Sequence, residues 1–164
     1  DMILFSAGRI GATSGLNLAA AGLQADARGR IAVDAHFRTK VPLPAVFPYG
    51  IYSVPEISMV GPTEEELTRA AVPYEVGISR YREIARGQIL GDDTGLLKLI
   101  FHRETRRLIA GHAIGTGATE MIHIAQAVVA LNGTLDYFLK NVFNYPTLAE
   151  CYKVAALDCA NKLG

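Results

Sequence analysis

Pro42, Pro44, Pro48 and Pro55 fall within fourteen residues of one stretch, "VPLPAVFPYGIYSVPEIS". Each proline fixes its own φ, lacks a backbone N–H and biases the preceding residue toward extended backbone. A segment punctuated in this way is neither a helix nor a central strand, and it reads as an extended connector over residues 43–50. The chain is thereby divided into residues 1–42, the connector, and residues 51–164.

The two sides differ in pattern. Before the connector, "DMILFSAGR" is a short apolar run stopped by Gly8, and a turn at Arg28 and Gly29 leads into a strand-like "IAV". These residues are a piece rather than a fold. After it, "IYSVPEISMVG" reads as a strand and "PTEEELTRAA" as a helix entered at Pro62 or Thr63, with Glu64, Glu65 and Glu66 in its first turn. "YEVGISRY" follows as a strand, and "GLLKLIFHRETRRLIAGHAIG" as a hairpin turning near Arg103 to Arg107. Next come "GATEMIHIAQAVVALNG", closed by Asn132 and Gly133, a short "TLDYFLK", and a final helix over about 147–162. Strands grouped first and helices grouped last predict an α+β fold, an antiparallel sheet covered by helices.

Charge and cysteine usage exclude several function classes. Lys plus Arg and Asp plus Glu both count 16, so no net basic field exists to hold nucleic acid or an anionic membrane surface. Half of the 164 residues are hydrophobic and 20% charged, which is ordinary for a globular chain. Neither a long apolar run nor a basic-then-apolar leader is present, and a cytoplasmic location is the expectation. Cys151 and Cys159 lie eight positions apart in the last predicted helix, which separates them by roughly 12 Å along the axis. A disulfide needs Cα atoms within about 7 Å, so the two read as small hydrophobes rather than a pair.

Few residues carry chemistry. Gly115-Thr116-Gly117 opens a helix, where free N–H groups favour anions, but Glu120 stands where the dinucleotide fingerprint needs its third glycine, and a plain turn is the better reading. His102, His112 and His123 have no metal-binding spacing and no neighbouring cysteine, so no metal site is expected. Met121, Ile124 and Val128 share one helical face and are read as core or subunit interface. Arg103, Arg106 and Arg107 read as a solvated hairpin tip. In "FNYPTLAECY", Pro146 fixes the step before a helix and hence the direction of Tyr145, and Glu150 falls on that helix's first turn. From the residues alone these three are either a functional group or a helix cap with a buried aromatic.

Four segments carry a family resemblance: "PYGIYSVPEISMVGPTEEEL", "VPYEVGISRYREIARGQI", "LLKLIFHRETRRLIAGHAIG" and "FNYPTLAECYKVAAL". Together they resemble the C-terminal dimerisation domain of the flavin-dependent pyridine nucleotide-disulphide oxidoreductases. Within that family "FHRET" and "NYPTLAE" are most similar to the transhydrogenase members, since disulphide-reducing members keep His where this chain has Tyr145. The resemblance implies FAD and NAD(P) as cofactors of the parent enzyme, hydride transfer from NADPH to NAD⁺, and a homodimer in which the Tyr145-Pro146 segment completes the partner's flavin site. It assigns Tyr145 and Glu150 to the catalytic position, and Gly8, Arg9, Tyr145 and Pro146 to cofactor contact. The alternatives are a fragment like dihydrolipoamide dehydrogenase and a dimerisation module without catalysis.

Departures from the family pattern bear on cofactors. After "RTKVP" the family continues into an A-x-G-D strand whose aspartate binds the flavin ribityl chain, whereas this chain passes into "LPAVFPYGIY". Ala12 occupies a position where the family has Asn, and the Rossmann fingerprints for FAD and NAD(P) are missing. The resemblance therefore implies a fragment, a dimerisation domain with a remnant of the nucleotide-binding region, that holds neither cofactor by itself. Tyr145 suits such chemistry. Thiol–disulphide exchange needs a base titrating near neutral pH, which imidazole supplies and a phenol does not. Hydride exchange between two nicotinamides carries no net proton and needs no such base.

Overall fold

The computed structural model describes residues 10–35, 37–41 and 46–164. The chain separates into two units, Asp1–Pro44 and Ala45–Gly164. In the first, none of the described residues is buried. Its order is local: Asp26 accepts the Arg28 and Arg30 N–H groups and the Arg30 guanidinium, closing a turn across which Ala25 bridges Ile31. Among the described residues the predicted "IAV" strand is no more than that single bridge.

The second unit is built on a five-stranded antiparallel sheet. Its strands are β1 (Pro48–Ile51), β2 (Ile57–Val60), β3 (Tyr74–Arg80), β4 (Leu96–His102) and β5 (Leu108–Ile114), in the order β1-β2-β5-β4-β3. Its helices are α1 (Glu64–Arg69), α2 (Ala85–Leu90), α3 (Ala118–Ala130), α4 (Leu135–Lys140) and α5 (Glu150–Leu163). The α+β expectation is met. "IYSVPEISMVG" differs from its reading: Ile51 ends β1, the chain turns over 52–56, where Ser53 donates to the Pro55 carbonyl at 2.7 Å, and Ile57–Val60 returns as β2, so the end of the stretch read as connector, from Pro48, is strand. Pro48 is tolerated at the head of β1 because β1 is an edge strand.

Alternation along the strands puts one face of the sheet into the core. Leu97, Leu99 and Phe101 of β4 are fully buried with Tyr81, Ile122, Phe138 and Tyr152. The same alternation puts Ile100 on the other face, where it meets Leu67 of α1 and Ala110. Of the two entrances read for α1, Thr63 is the one taken, in a capping box of Glu66 N–H to Thr63 Oγ1 and Thr63 N–H to Glu66 Oε2. On the core face, α5 lies against β3 through Gly77, which has no side chain to hold the helix away, and α5 presents only the small residues Cys151, Ala155, Ala156 and Cys159 as buried neighbours beside Tyr152. Burial pushes both thiols up to about 11, so each behaves as a small hydrophobe. Among the described residues no helix is long and apolar enough to cross a membrane.

The hairpin tip departs from the solvated turn expected of it. Arg106 adopts φ +58° and its guanidinium reaches Asp136 of α4 at 3.3 Å, while its carbonyl accepts the Leu135 N–H. The β4–β5 turn is thus docked on the start of α4 through Arg106, while Arg103, Glu104, Thr105 and Arg107 remain exposed.

Candidate functional site

Glu150 is the first residue of α5, five positions after Tyr145. The turn between them is held by Thr147, whose hydroxyl donates to the Asn144 carbonyl at 2.6 Å. The Tyr145–Pro146 peptide is cis. Tyr145 stands 71% exposed, which removes the buried-aromatic reading and leaves its ring available to another surface. α5 has no side-chain N-cap bond, so the cap reading is not met either.

What holds this exposed segment is an aromatic stack beneath it. The rings of Tyr152, Phe138 and Phe143 lie nearly parallel, with centroids 5.5 Å apart across the first pair and 6.4 Å across the second. Tyr152 is the anchor: its hydroxyl donates to the Met121 carbonyl at 2.6 Å and accepts the Ala125 N–H at 3.3 Å, joining α5 to α3. Burial raises that phenol well above its ordinary range and keeps it a neutral donor.

Glu150 has one carboxylate oxygen, Oε2, sealed from solvent with no hydrogen-bond partner among the described residues, although the side chain as a whole is only half-buried. Burial pushes its carboxyl above the ordinary value. Tyr145 and Glu150 are thus brought to one end of α5, but among the described residues no hydrogen bond joins them. The structure offers an outward phenol and a partly exposed carboxyl with one sealed, unpartnered oxygen. Gly8 and Arg9 lie outside the described residues.

The glycine turn before α3 is taken by carboxylates. Gly115 and Gly117 have φ of +124° and +70°, which glycine alone adopts without strain. Glu56, from the β1–β2 turn, accepts from both the Thr119 N–H and hydroxyl, and Asp92 accepts the Thr116 N–H at 2.8 Å. These contacts hold both carboxyls below their usual range. For Glu56 the Thr119 hydroxyl is the largest cause, and for Asp92 burial opposes but donation from Thr116, Gly95 and Thr94 prevails. Two anions where a dinucleotide phosphate would sit repel one, so this turn does not fit a flavin or nicotinamide nucleotide. Sequence reasoning missed Glu56 and Asp92, which lie 63 and 24 positions from the groups they bind.

The histidines serve elsewhere. His102 Nδ1 accepts two N–H groups of the hairpin turn, His112 lies on β5 with Nε2 sealed, and His123 is exposed beside Gln126. Met121 and Val128 enter the core as expected, with Ile124 packed at its margin.

Comparison with known proteins agrees with this architecture. The family described as pyridine nucleotide-disulphide oxidoreductase, dimerisation domain, matches residues 47–156. A soluble pyridine nucleotide transhydrogenase of Mycobacterium tuberculosis is 45% identical over 199 residues, covering 99% of this chain and 42% of that protein. One from Vibrio vulnificus is 42% identical over 203 residues, covering 99% of this chain and 44% of its own length. The chain thus spans under half the length of these relatives. Both alignments are longer than the 164 residues of this chain, so each relative carries residues inside the matched region that have no counterpart here. Among solved structures, the fold is shared with LpdA from Mycobacterium tuberculosis (TM-score 0.70, 20% identity, 90% of this chain and 40% of that one). It is shared also with the HOCl-induced flavoprotein disulfide reductase RclA from Escherichia coli (TM-score 0.72, 21% identity, 93% of this chain and 44% of that one).

Proposed function

The chain belongs to the pyridine nucleotide-disulphide oxidoreductase family through its dimerisation domain, and from that premise we propose that it forms the pairing half of a flavin-dependent NAD(P)⁺ transhydrogenase. In this reading two copies associate about a two-fold axis and each Tyr145-Pro146 segment completes the flavin site of the other. The observation that carries it is Tyr145 itself, 71% exposed ahead of α5, two residues after Phe143, whose ring is held in an aromatic stack. A phenol held out to solvent on a rigid support is suited to being received by a second subunit.

The residue type agrees with the relatives' names. Transhydrogenation between NADPH and NAD⁺ moves a hydride with no net proton, so the site has no need of the imidazole that thiol chemistry requires. FAD and the nicotinamide nucleotides belong, in this proposal, to the nucleotide-binding part of the longer enzyme, since the α3 turn of this chain repels phosphate. Cytoplasmic location is part of the same reading. Neither nucleic acid, membrane nor metal is a proposed partner.

Sedimentation of the purified chain tests the pairing. A dimer at micromolar concentration is expected, and a monomer throughout that range overturns the proposal.

A further inference from the structure

The segment that presents Tyr145 begins where α4 ends. α4 is six residues long and stops at Asn141, whose backbone turns extended (φ −89°, ψ 154°). The Asn141 N–H and side-chain amide both go to the Tyr137 carbonyl, which leaves the Leu139 and Asn141 carbonyls without partners on their own helix. Lys153 of α5 supplies them: its ammonium donates to the Leu139 carbonyl at 2.5 Å and to the Asn141 carbonyl at 3.1 Å.

Lys153 lies one turn beyond Glu150 on α5, so the helix that carries the unsatisfied carboxyl also grips the start of the loop ahead of it. From that grip the chain runs through Val142, 96% exposed, to Phe143 on the aromatic stack and then to Tyr145. The far end is tied by Thr147 to the Asn144 carbonyl. Val142 and Tyr145 therefore project outward from a loop tethered at both ends.

We propose that Lys153 is a positioning residue: by holding the Leu139 and Asn141 carbonyls it fixes the direction in which residues 142–146 offer Tyr145 to the second subunit. The role rests on the proposed pairing, in which that segment is received by the partner. Lysine suits it because one ammonium has three donors and satisfies two carbonyls at once. Two charge-assisted bonds also exceed what a surface pair contributes.

The test uses the full chain with Lys153→Met, which keeps the stem and removes the donors, and Lys153→Arg, which restores donors to both carbonyls. Amide hydrogen exchange in Lys153→Met is expected to quicken about tenfold or more over residues 141–146, from loss of the charged hydrogen bonds, while α5 amides from Ala155 to Ala160 stay protected. The dimer dissociation constant is expected to rise about tenfold by the same conversion, with Arg returning both readouts toward the wild-type values. Unchanged exchange over 141–146 overturns the positioning role whatever the pairing does. Quickened exchange throughout α5 also overturns it, since Lys153 is then only a structural support. Local quickening with an unchanged dimer constant refutes receipt of this segment by the partner and the role with it, whereas a wild-type monomer refutes the pairing itself.

Discussion

Gly77 of β3 and Ala155 of α5 approach so closely that a Cβ on residue 77 would fall 1.9 Å from the Ala155 carbonyl oxygen. No rotamer relieves a clash with backbone, so helix and strand would have to separate. Gly77→Ala is expected to destabilise the chain by about 1–3 kcal/mol or more, as overpacking does. Because α5 carries Glu150, Tyr152 and Lys153, it should also loosen residues 142–146. Urea unfolding read with amide exchange checks both, and an unchanged midpoint would show that α5 shifts without cost.

Tyr152→Phe separates stacking from hydrogen bonding. The ring remains against Phe138, but the Met121 carbonyl loses a donor and the Ala125 N–H an acceptor in a fully buried place. Both groups keep their partners within α3, so a loss of about 0.5–1.5 kcal/mol is expected, the net value of a hydrogen bond. Tyr152→Ala should cost about 3–5 kcal/mol, since the stack goes too. Equal losses in the two variants would mean that the hydroxyl bonds dominate and the stack contributes little.

Burial raises Cys151 and Cys159 to about 11, so almost no thiolate exists at pH 8. A disulphide-exchange reagent at that pH is expected to leave both thiols of the native chain untouched and to titrate both after denaturation. Fast reaction of either in the native chain would show that α5 lifts from the sheet on that timescale.

Acid sensitivity follows from Glu56 and Asp92. Their folded values are depressed, so their contribution is complete above the unfolded carboxylate value, near pH 4, and is lost as pH falls through the lower folded values. Melting temperature should therefore fall as pH drops below about 4, with Asp92→Asn lowering stability at pH 7 and flattening that slope. An identical slope in the variant would assign the acid loss to other carboxylates.

The sequence made the elements legible where local chemistry decides them. Thr63 followed by Glu64, Glu65 and Glu66 marks the entrance of α1, and the β4–β5 hairpin shows as alternation on both sides of a polar turn. α2 went unread because its six residues include Gly87 and have no side-chain cap, so packing rather than propensity forms it. At the candidate site, Tyr145 and Glu150 are neighbours in sequence and were readable. The sealed Oε2 was not, because burial of a single atom is set by packing rather than spacing, and the Lys153 grip was not, because it depends on how α4 and α5 come together.

On the proposed reading, Tyr145 is the residue that separates hydride transfer from thiol chemistry. The setting is a hybrid in which residues 47–164 replace the matching part of the Mycobacterium tuberculosis relative, with hydride transfer from NADPH to an NAD⁺ analogue as the readout. Tyr145→Phe keeps the ring and loses one hydroxyl hydrogen bond, worth about 0.5–1.5 kcal/mol net, so the rate should fall by roughly tenfold at most. On the proposed transhydrogenase reading Tyr145→His should not create lipoamide or glutathione disulphide reduction, because a base by itself does no thiol chemistry and the two cysteines this unit brings to the hybrid are buried in the core. A thousandfold loss in the Phe variant, with flavin content and dimer unchanged, would mean that the phenol moves a proton during the reaction. The hydride-only account of Tyr145 would then fail, and the sealed carboxyl of Glu150 would become the first group to examine as its proton partner.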